Sequence, residues 1–141
     1  MRLSRLEWIN MASLFTKIIN GEIPSYKIAE TESCFAFLDI MPLHGGHTLV
    51  IPKKEIDYLF DLPPSEYQEL MLFSKRIAHA IGKAIPCKKV GVAVIGLEVP
   101  HAHIHLIPIN AVSDIDFSRE KLKFDATQME GFMEKIKSYL D

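Results

Sequence analysis

The stretch Val-Pro-His-Ala-His-Ile-His-Leu-Ile-Pro, residues 99 to 108, places imidazoles at His101, His103 and His105. In an extended strand successive side chains point to opposite faces, so three residues at i, i+2 and i+4 share one face. Ala102, Ile104 and Leu106 then enter a core on the other. A helix would scatter the same three rings around its axis. The segment is short, apolar between the histidines and bounded by Pro100 and Pro108, so it is predicted to be a strand. Three histidines in such a pattern admit three readings. One is an exposed polar face, which is usually built of Lys, Glu, Thr and Ser instead. One is a metal site. Same-face neighbours on a strand lie about 6.6 Å apart, so the outer two lie roughly 13 Å apart, too far for one tetrahedral ion. The third is catalysis, in which one ring is nucleophile or base and its neighbours orient it or hold an anion. That reading leads.

Several elements must position these rings. Ser13 is expected to cap a short helix running to Ile19 and stopped by Asn20-Gly21. Ser25–Ala29, Cys34–Asp39 and His47–Pro52 read as strands, with a loop at Pro42–Gly46. Phe35 and Phe37 alternate with Ala36 and Leu38, as in a sheet covered on both faces. Ser65 to about Ala84 is the one long helix before the histidines. Ser65-x-x-Gln68 forms its expected capping box, and Tyr67, Leu70, Met71, Ile77, Ile81 and Ala84 recur at helical spacing. Met71 and Met133 are expected to be core fillers, His44 a solvated loop residue and His79 structural or exposed. Val90–Ile95 reads as a further strand. Asn110 to Phe124 is irregular and polar. Asp125-x-x-Gln128 then caps a last helix with Met129, Phe132, Met133 and Ile136 along one face. The count gives an α+β domain on a mainly antiparallel sheet of about five strands.

Bulk properties narrow the function. The 141 residues form one domain, with residues 1–10 read as an extension before Met11. A net charge of −2 gives no footprint for nucleic acid. No apolar run approaches the ~20 residues of a membrane span, and no signal-peptide pattern is present. Cys34 and Cys87 are too few for a disulfide scaffold or a CxxC metal site. A cytoplasmic protein with reduced thiols is the expectation.

The run His-Ala-His-Ile-His-Leu-Ile resembles the signature of the histidine triad (HIT) family, three histidines alternating with apolar residues. Phe15 to Tyr26 is similar to the family's amino-terminal segment and Ala36 to Pro52 to its second block. The matches cover most of residues 13 to 108 in the family's order and lie nearest the Hint branch of nucleotide phosphoramidases. The resemblance implies a HIT-like fold over residues 11–141 and a homodimer whose sheets join. It also implies a hydrolase that attacks the α-phosphorus of a nucleoside phosphoramidate or related purine nucleotide conjugate and releases nucleoside monophosphate.

Carried onto this chain, the resemblance makes His103 the nucleophile that forms a nucleotidyl-imidazole intermediate. His105 contacts the phosphate and assists the leaving group, while His101 and His47 fix ring orientation and tautomer. Asp39 accepts from the ribose hydroxyls, which a carboxylate can do for two at once. Ile18 and Leu38 belong to the apolar slot for the base. Gly96, Leu97 and Val99 supply backbone near the phosphate, although Leu97 replaces the family's glutamine and the loop before His101 is shorter. Many relatives hold a structural zinc through a Cys-x-x-Cys pair and a later histidine. Here Ser13, Thr16 and Glu55 occupy those positions, so no zinc and no cofactor are expected. Three rival readings stand beside this one. The chain could be a dinucleoside polyphosphate hydrolase or nucleotidyl transferase, although transferases of the superfamily generally carry glutamine where His105 stands. It could be a nucleotide-binding scaffold, or a metal-binding module.

Overall fold

The computed structural model describes residues 14–140, so the extension and the expected cap at Ser13 lie outside it. Among the described residues a first helix, α1, occupies residues 14–19. Strands β1 (Lys27–Glu30), β2 (Cys34–Leu38) and β3 (Thr48–Pro52) follow, then α2 (Pro64–Ala84), β4 (Lys89–Ala93), β5 (Ile104–Ile109) and α3 (Ala126–Lys137). The five strands form one antiparallel sheet in the order β1-β2-β3-β5-β4. No described helix is long and apolar enough to cross a membrane.

Period-two alternation sorts the side chains between two cores. Cys34, Ala36 and Leu38 of β2, Val50 of β3 and Ile104 and Leu106 of β5 face α2 and α3, and with Leu70, Ile77 and Ile81 they make the larger core. Phe35, Phe37, Leu49 and Ile51 face the other way and are covered by Phe15, Leu14, Ile18 and Ile19 from α1. Apolar burial on both faces makes β2 and β3 buried at every position, as the sequence reading of β2 required.

The triad segment departs from its predicted conformation at one end. The β5 ladder begins at Ile104 rather than at His101. The backbone before it bonds elsewhere: His101 N–H donates to Val99 O (2.9 Å) and Ala102 N–H to Ile56 O (2.6 Å). The alternation survives all the same, with Ala102 in the helix-side core and the three histidines away from it. The expected strand Val90–Ile95 likewise stops at Ala93, which pairs with His105. Beyond that pair Val94 to Gly96 diverge from the triad segment and open a cleft.

Helix α2 starts differently from the sequence reading. Pro63 and Pro64 open it, and no side chain caps it, so the Ser65 box is not formed. Proline at the first turn is preorganised for the helix and has no N–H to satisfy. Met71 points outward and is 38% exposed, whereas Phe73 and Ser74 are buried in its place. His79 is exposed, and His44 is half-buried rather than solvated. At α3 the expected box does form: Asp125 accepts from Gln128 N–H (2.8 Å) and Gln128 accepts from Asp125 N–H (3.0 Å). The segment before α3, residues 110–124, is anchored on the edge strand, because Ile115 packs where a Cβ on Gly91 would fall, 2.5 Å away.

Equilibrium urea unfolding separates the two caps. Asp125→Ala should cost about 1 kcal/mol, while Ser65→Ala should stay within about 0.5 kcal/mol of wild type. Equal losses would contradict the start of α2 described above.

Candidate active site

The sheet face opposite α2 gathers residues from three places in the chain. Asp39 follows β2 and His47 precedes β3, and the hairpin closes between them through Asp39 N–H to His47 O (2.9 Å). Leu49 pairs with His105 across β3 and β5. Residues 35, 37 and 39 share a face with 47, 49 and 51, so Asp39, His47 and His105 meet on the side covered by α1. Gly46 makes the hairpin loop possible: its φ is +92°, and a Cβ would lie 2.9 Å from Ile85. The four rings are almost wholly enclosed, with His101 0%, His47 1%, His103 8% and His105 8% exposed. Phe15 packs edge-on against both His101 (5.4 Å between centroids) and His103 (5.5 Å), and His103 lies 5.0 Å from His105.

Hydrogen bonds assign the proton on each ring. His101 Nε2–H donates to Pro52 O (2.7 Å), which leaves Nδ1 as acceptor. His103 Nδ1–H donates to His101 O (2.7 Å), so the lone pair sits on Nε2. His47 Nδ1 accepts from Leu43 N–H (3.0 Å), so its proton is on Nε2 and is donated to His105 Nδ1 (2.9 Å). His105 therefore carries its own proton on Nε2. The result is an unprotonated nitrogen on His103 beside an N–H on His105. Burial keeps the supporting rings neutral. His47 is pushed down to about 3 by burial, then by His105 and Lys121. His105 is pushed down to about 4 by burial, then by His103 and Lys121. His101 is lowered as well, again by burial first. Asp39 is raised by burial, against the opposing pull of the Met41 N–H, His103 and Lys121.

Other predicted residues fall into place unevenly. Asp39 Oδ1 accepts from Met41 N–H (2.8 Å), while Oδ2 lies 3.6 Å from His47 Nε2 and is partly exposed. Ile18 is half-buried beside Phe15. Leu38 departs from its expected place in the base slot: at 2% exposure it lies in the helix-side core and offers no surface to a ligand. Gly96, at φ +71°, turns the chain so that Gly96 and Leu97 line the cleft into which His103 opens. Val99 packs under α1. Phe117, 4.7 Å from the His105 ring and 6.5 Å from His47, was not foreseen. Its segment has no regular period, and nothing in the sequence tells which of its two aromatics, Phe117 or Phe124, turns toward the histidines.

Two donor sets bear on metal. Thr16 Oγ1 donates a hydrogen bond to the Glu55 carboxylate, and Glu55 acts electrostatically on His101, whose buried Nδ1 has no partner among the described residues. One imidazole, one carboxylate and a hydroxyl spent on that carboxylate do not make the closed Cys and His set of a structural zinc. Ser13 lies outside the described residues. Asp39, His47 and His105 bring ligand atoms within 4.8 Å of one another. To ligate through Nε2, however, His47 would carry its proton on Nδ1, facing the Leu43 N–H donor to donor. The cluster is wired as a hydrogen-bond relay.

The neutral rings make stability depend on pH. Both folded values lie below the ordinary 6.5, so the unfolded chain takes up protons first as pH falls. Stability should be level above pH 6.5 and fall toward pH 4, by about 1.4 kcal/mol per pH unit for each ring, with Asp39 opposing weakly at the acid end. His47→Gln should flatten that slope in urea titrations at several pH values. A slope unchanged by the substitution would contradict the assignment.

Comparison with known proteins agrees with this geometry. The HIT domain family model matches residues 20–112. The chain is 40% identical over 101 residues to an adenosine 5′-monophosphoramidase of Saccharomyces cerevisiae, covering 71% of this chain and 64% of that one. It is 37% identical over 100 residues to an adenylylsulfatase of Arabidopsis thaliana, covering 67% of this chain and 51% of the other. Among solved structures, a Hit-like protein from Bartonella henselae superposes with a TM-score of 0.77 at 32% identity, over 90% of this chain and 95% of that one. With three alternating histidines on one sheet face and a family match spanning most of the sheet, the chain belongs to the HIT family.

Proposed function

We propose that this protein is a nucleotide hydrolase that cleaves nucleoside phosphoramidates or related conjugates through a nucleotidyl-histidine intermediate. The observation that carries this reading is the tautomer of His103. Its Nδ1–H is held by the His101 carbonyl, so Nε2 presents a lone pair at the cleft. Neutral imidazole is a fair nucleophile near pH 7 and, once phosphorylated and cationic, a good leaving group. His103 Nε2 attacks the α-phosphorus, and the bond to the leaving group breaks. His105, with its proton on Nε2, donates a hydrogen bond to the reacting phosphate, and the departing nitrogen takes a proton from solvent and leaves as the neutral amine. Water then displaces the nucleotide from His103, gives up a proton to solvent and releases the nucleoside monophosphate. His47 and His101 act on orientation by different routes: the His47 ring is bonded to the Leu43 N–H on one side and to His105 on the other, whereas His101 holds His103 Nδ1–H through its main-chain carbonyl while its ring donates to Pro52 O. Asp39 accepts from the ribose, and half-buried Ile18 offers apolar surface to a purine base. Relatives named as a phosphoramidase and an adenylylsulfatase support the same class of chemistry. No step needs a metal.

The homodimer is part of the proposal. Strand β4 is a sheet edge, and an edge presents unpaired backbone groups to a further strand. Its Val92 is 57% exposed, and Val94, Ile95, Leu97, Tyr58 and Phe60 extend an apolar patch beside the His103 cleft. A second copy joining at β4 covers that patch and completes the outer wall of the cleft.

Two measurements test these readings. Release of nucleoside monophosphate from adenosine 5′-phosphoramidate, with chelator throughout, should occur in wild type and fall by at least about a thousandfold in His103→Ala. Turnover surviving that substitution would remove His103 as nucleophile, and turnover abolished by chelator would overturn the metal-independent mechanism. Val92→Lys should convert a dimer to monomer in sedimentation velocity. A dimer that persists would place the interface elsewhere.

A further inference from the structure

The side chains that follow β3 each reach a different element. Lys53 Nζ stands 2.9 Å from the Glu30 carboxylate at the end of β1, and Lys54 Nζ stands 3.8 Å from that of Glu66 in α2. Glu55 accepts a hydrogen bond from the Thr16 hydroxyl in α1. The same short loop holds the main chain before β5 at two points. Pro52 O accepts from the His101 ring (2.7 Å), and Ile56 O accepts from Ala102 N–H (2.6 Å). Glu55 lies between these two carbonyls in the chain. Among the described residues its bond to Thr16 is the one side-chain hydrogen bond that ties α1 to the rest of the fold. Next to Thr16, Phe15 packs edge-on against both His101 and His103.

We propose that Glu55 is a positioning residue for the nucleophile: with Thr16 it forms a clasp that locks α1 onto the loop carrying the His101 backbone, and so fixes the His103 ring between them. This rests on the hydrolase reading given above. The His103 ring donates from Nδ1 to the His101 carbonyl and is flanked by the rings of Phe15 and His105. The clasp joins the supports of the first two contacts. Helix α1 spans only residues 14–19, too short to hold a helix alone, so its place over the histidines comes from its contacts. Its apolar side is buried with Phe35, Phe37, Leu49 and Ile51. Such packing is non-directional and leaves the helix free to slide. A hydrogen bond has a preferred length and angle, and one to a carboxylate is roughly twice as strong as a neutral one. The clasp therefore sets the register of α1 against the loop, and Phe15 stays against His103. Glu55 also acts through space on the His101 ring, after burial and the Pro52 carbonyl. That charge effect, or a plain staple of the loop, is the competing role.

Thr16→Ala and Glu55→Ala each remove the clasp. Glu55→Gln keeps an acceptor for the hydroxyl without the charge, and Thr16→Ser keeps the donor. Lys54→Ala is the control, since it cuts another tie of the same loop. With saturating adenosine 5′-phosphoramidate, kcat should fall about tenfold in Thr16→Ala and in Glu55→Ala, and no further in the double variant. Glu55→Gln and Thr16→Ser should recover most of the loss, and Lys54→Ala should match wild type. The second reading is the imidazole proton–nitrogen NMR signal of His103 in the free protein. Its Nδ1–H should exchange with solvent about tenfold faster in the two alanine variants at positions 16 and 55 than in wild type, Lys54→Ala or the conservative variants. Unchanged kcat and exchange in Thr16→Ala and Glu55→Ala overturn the proposal, and so does either reading moving without the other in an active protein. A loss in Glu55→Ala and Glu55→Gln that Thr16→Ala does not share assigns the effect to charge on His101 and overturns the clasp. A loss shared by Lys54→Ala leaves a plain staple and overturns it too. If Glu55→Ala fails to fold, Thr16→Ala decides. Wild type that hydrolyses no phosphoramidate defeats the hydrolase reading, and exchange at His103 Nδ1 still decides the clasp.

Discussion

The hydrogen bond from His103 Nδ1–H to the carbonyl of His101 is the contact on which the site depends. It spans two residues, so it forms wherever the backbone takes the local course found here. That course is set in turn by the N–H of Ala102 reaching Ile56 O and by His101 Nε2–H reaching Pro52 O. The reactive ring is oriented by main chain, which cannot rotate away as a side chain can. The helix-side core secures the main chain, since Ala102, Ile104 and Leu106 are buried there. Close packing therefore supports the chemistry even though no core residue touches a reacting atom.

Burial performs a second task. His47, His101 and His105 lie close together, and protonating any of these three costs desolvation first and repulsion from a neighbouring ring second or later. The supporting rings are held neutral, and neutrality leaves the lone pairs through which His47 and His105 bond. Asp39 is the matching acid at the rim, partly exposed and held by the Met41 N–H.

Most of this was legible in the sequence because strand periodicity is strict. The alternation in His101–Leu106 and in Phe35–Leu38 fixes which side chains face α2, and it holds even where the backbone leaves the ladder. The Asp125 box was legible for the same reason of local determinism. The misreadings have physical causes. Ser65 matched a capping pattern, but Pro63 and Pro64 had already started the helix, and proline needs no cap. Leu38 was placed in the base slot by resemblance, yet its parity with Ala36 puts it in the helix-side core. Phe117 and Lys121 were invisible because irregular backbone has no period from which to read a direction. Their positions follow from long-range contacts to Pro42 and Gly91.

The contact between Ile115 and Gly91 links parts of the molecule that are distant along the chain. Gly91 lies in the outermost strand of the sheet, and Ile115 sits two residues before the ring that abuts His105. The space a side chain at Gly91 would take is filled by Ile115 Cδ1, 2.5 Å from the Cβ position, and by Ile109 Cδ1, 3.0 Å from it, so any larger residue there would displace the loop that carries Phe117 to His105.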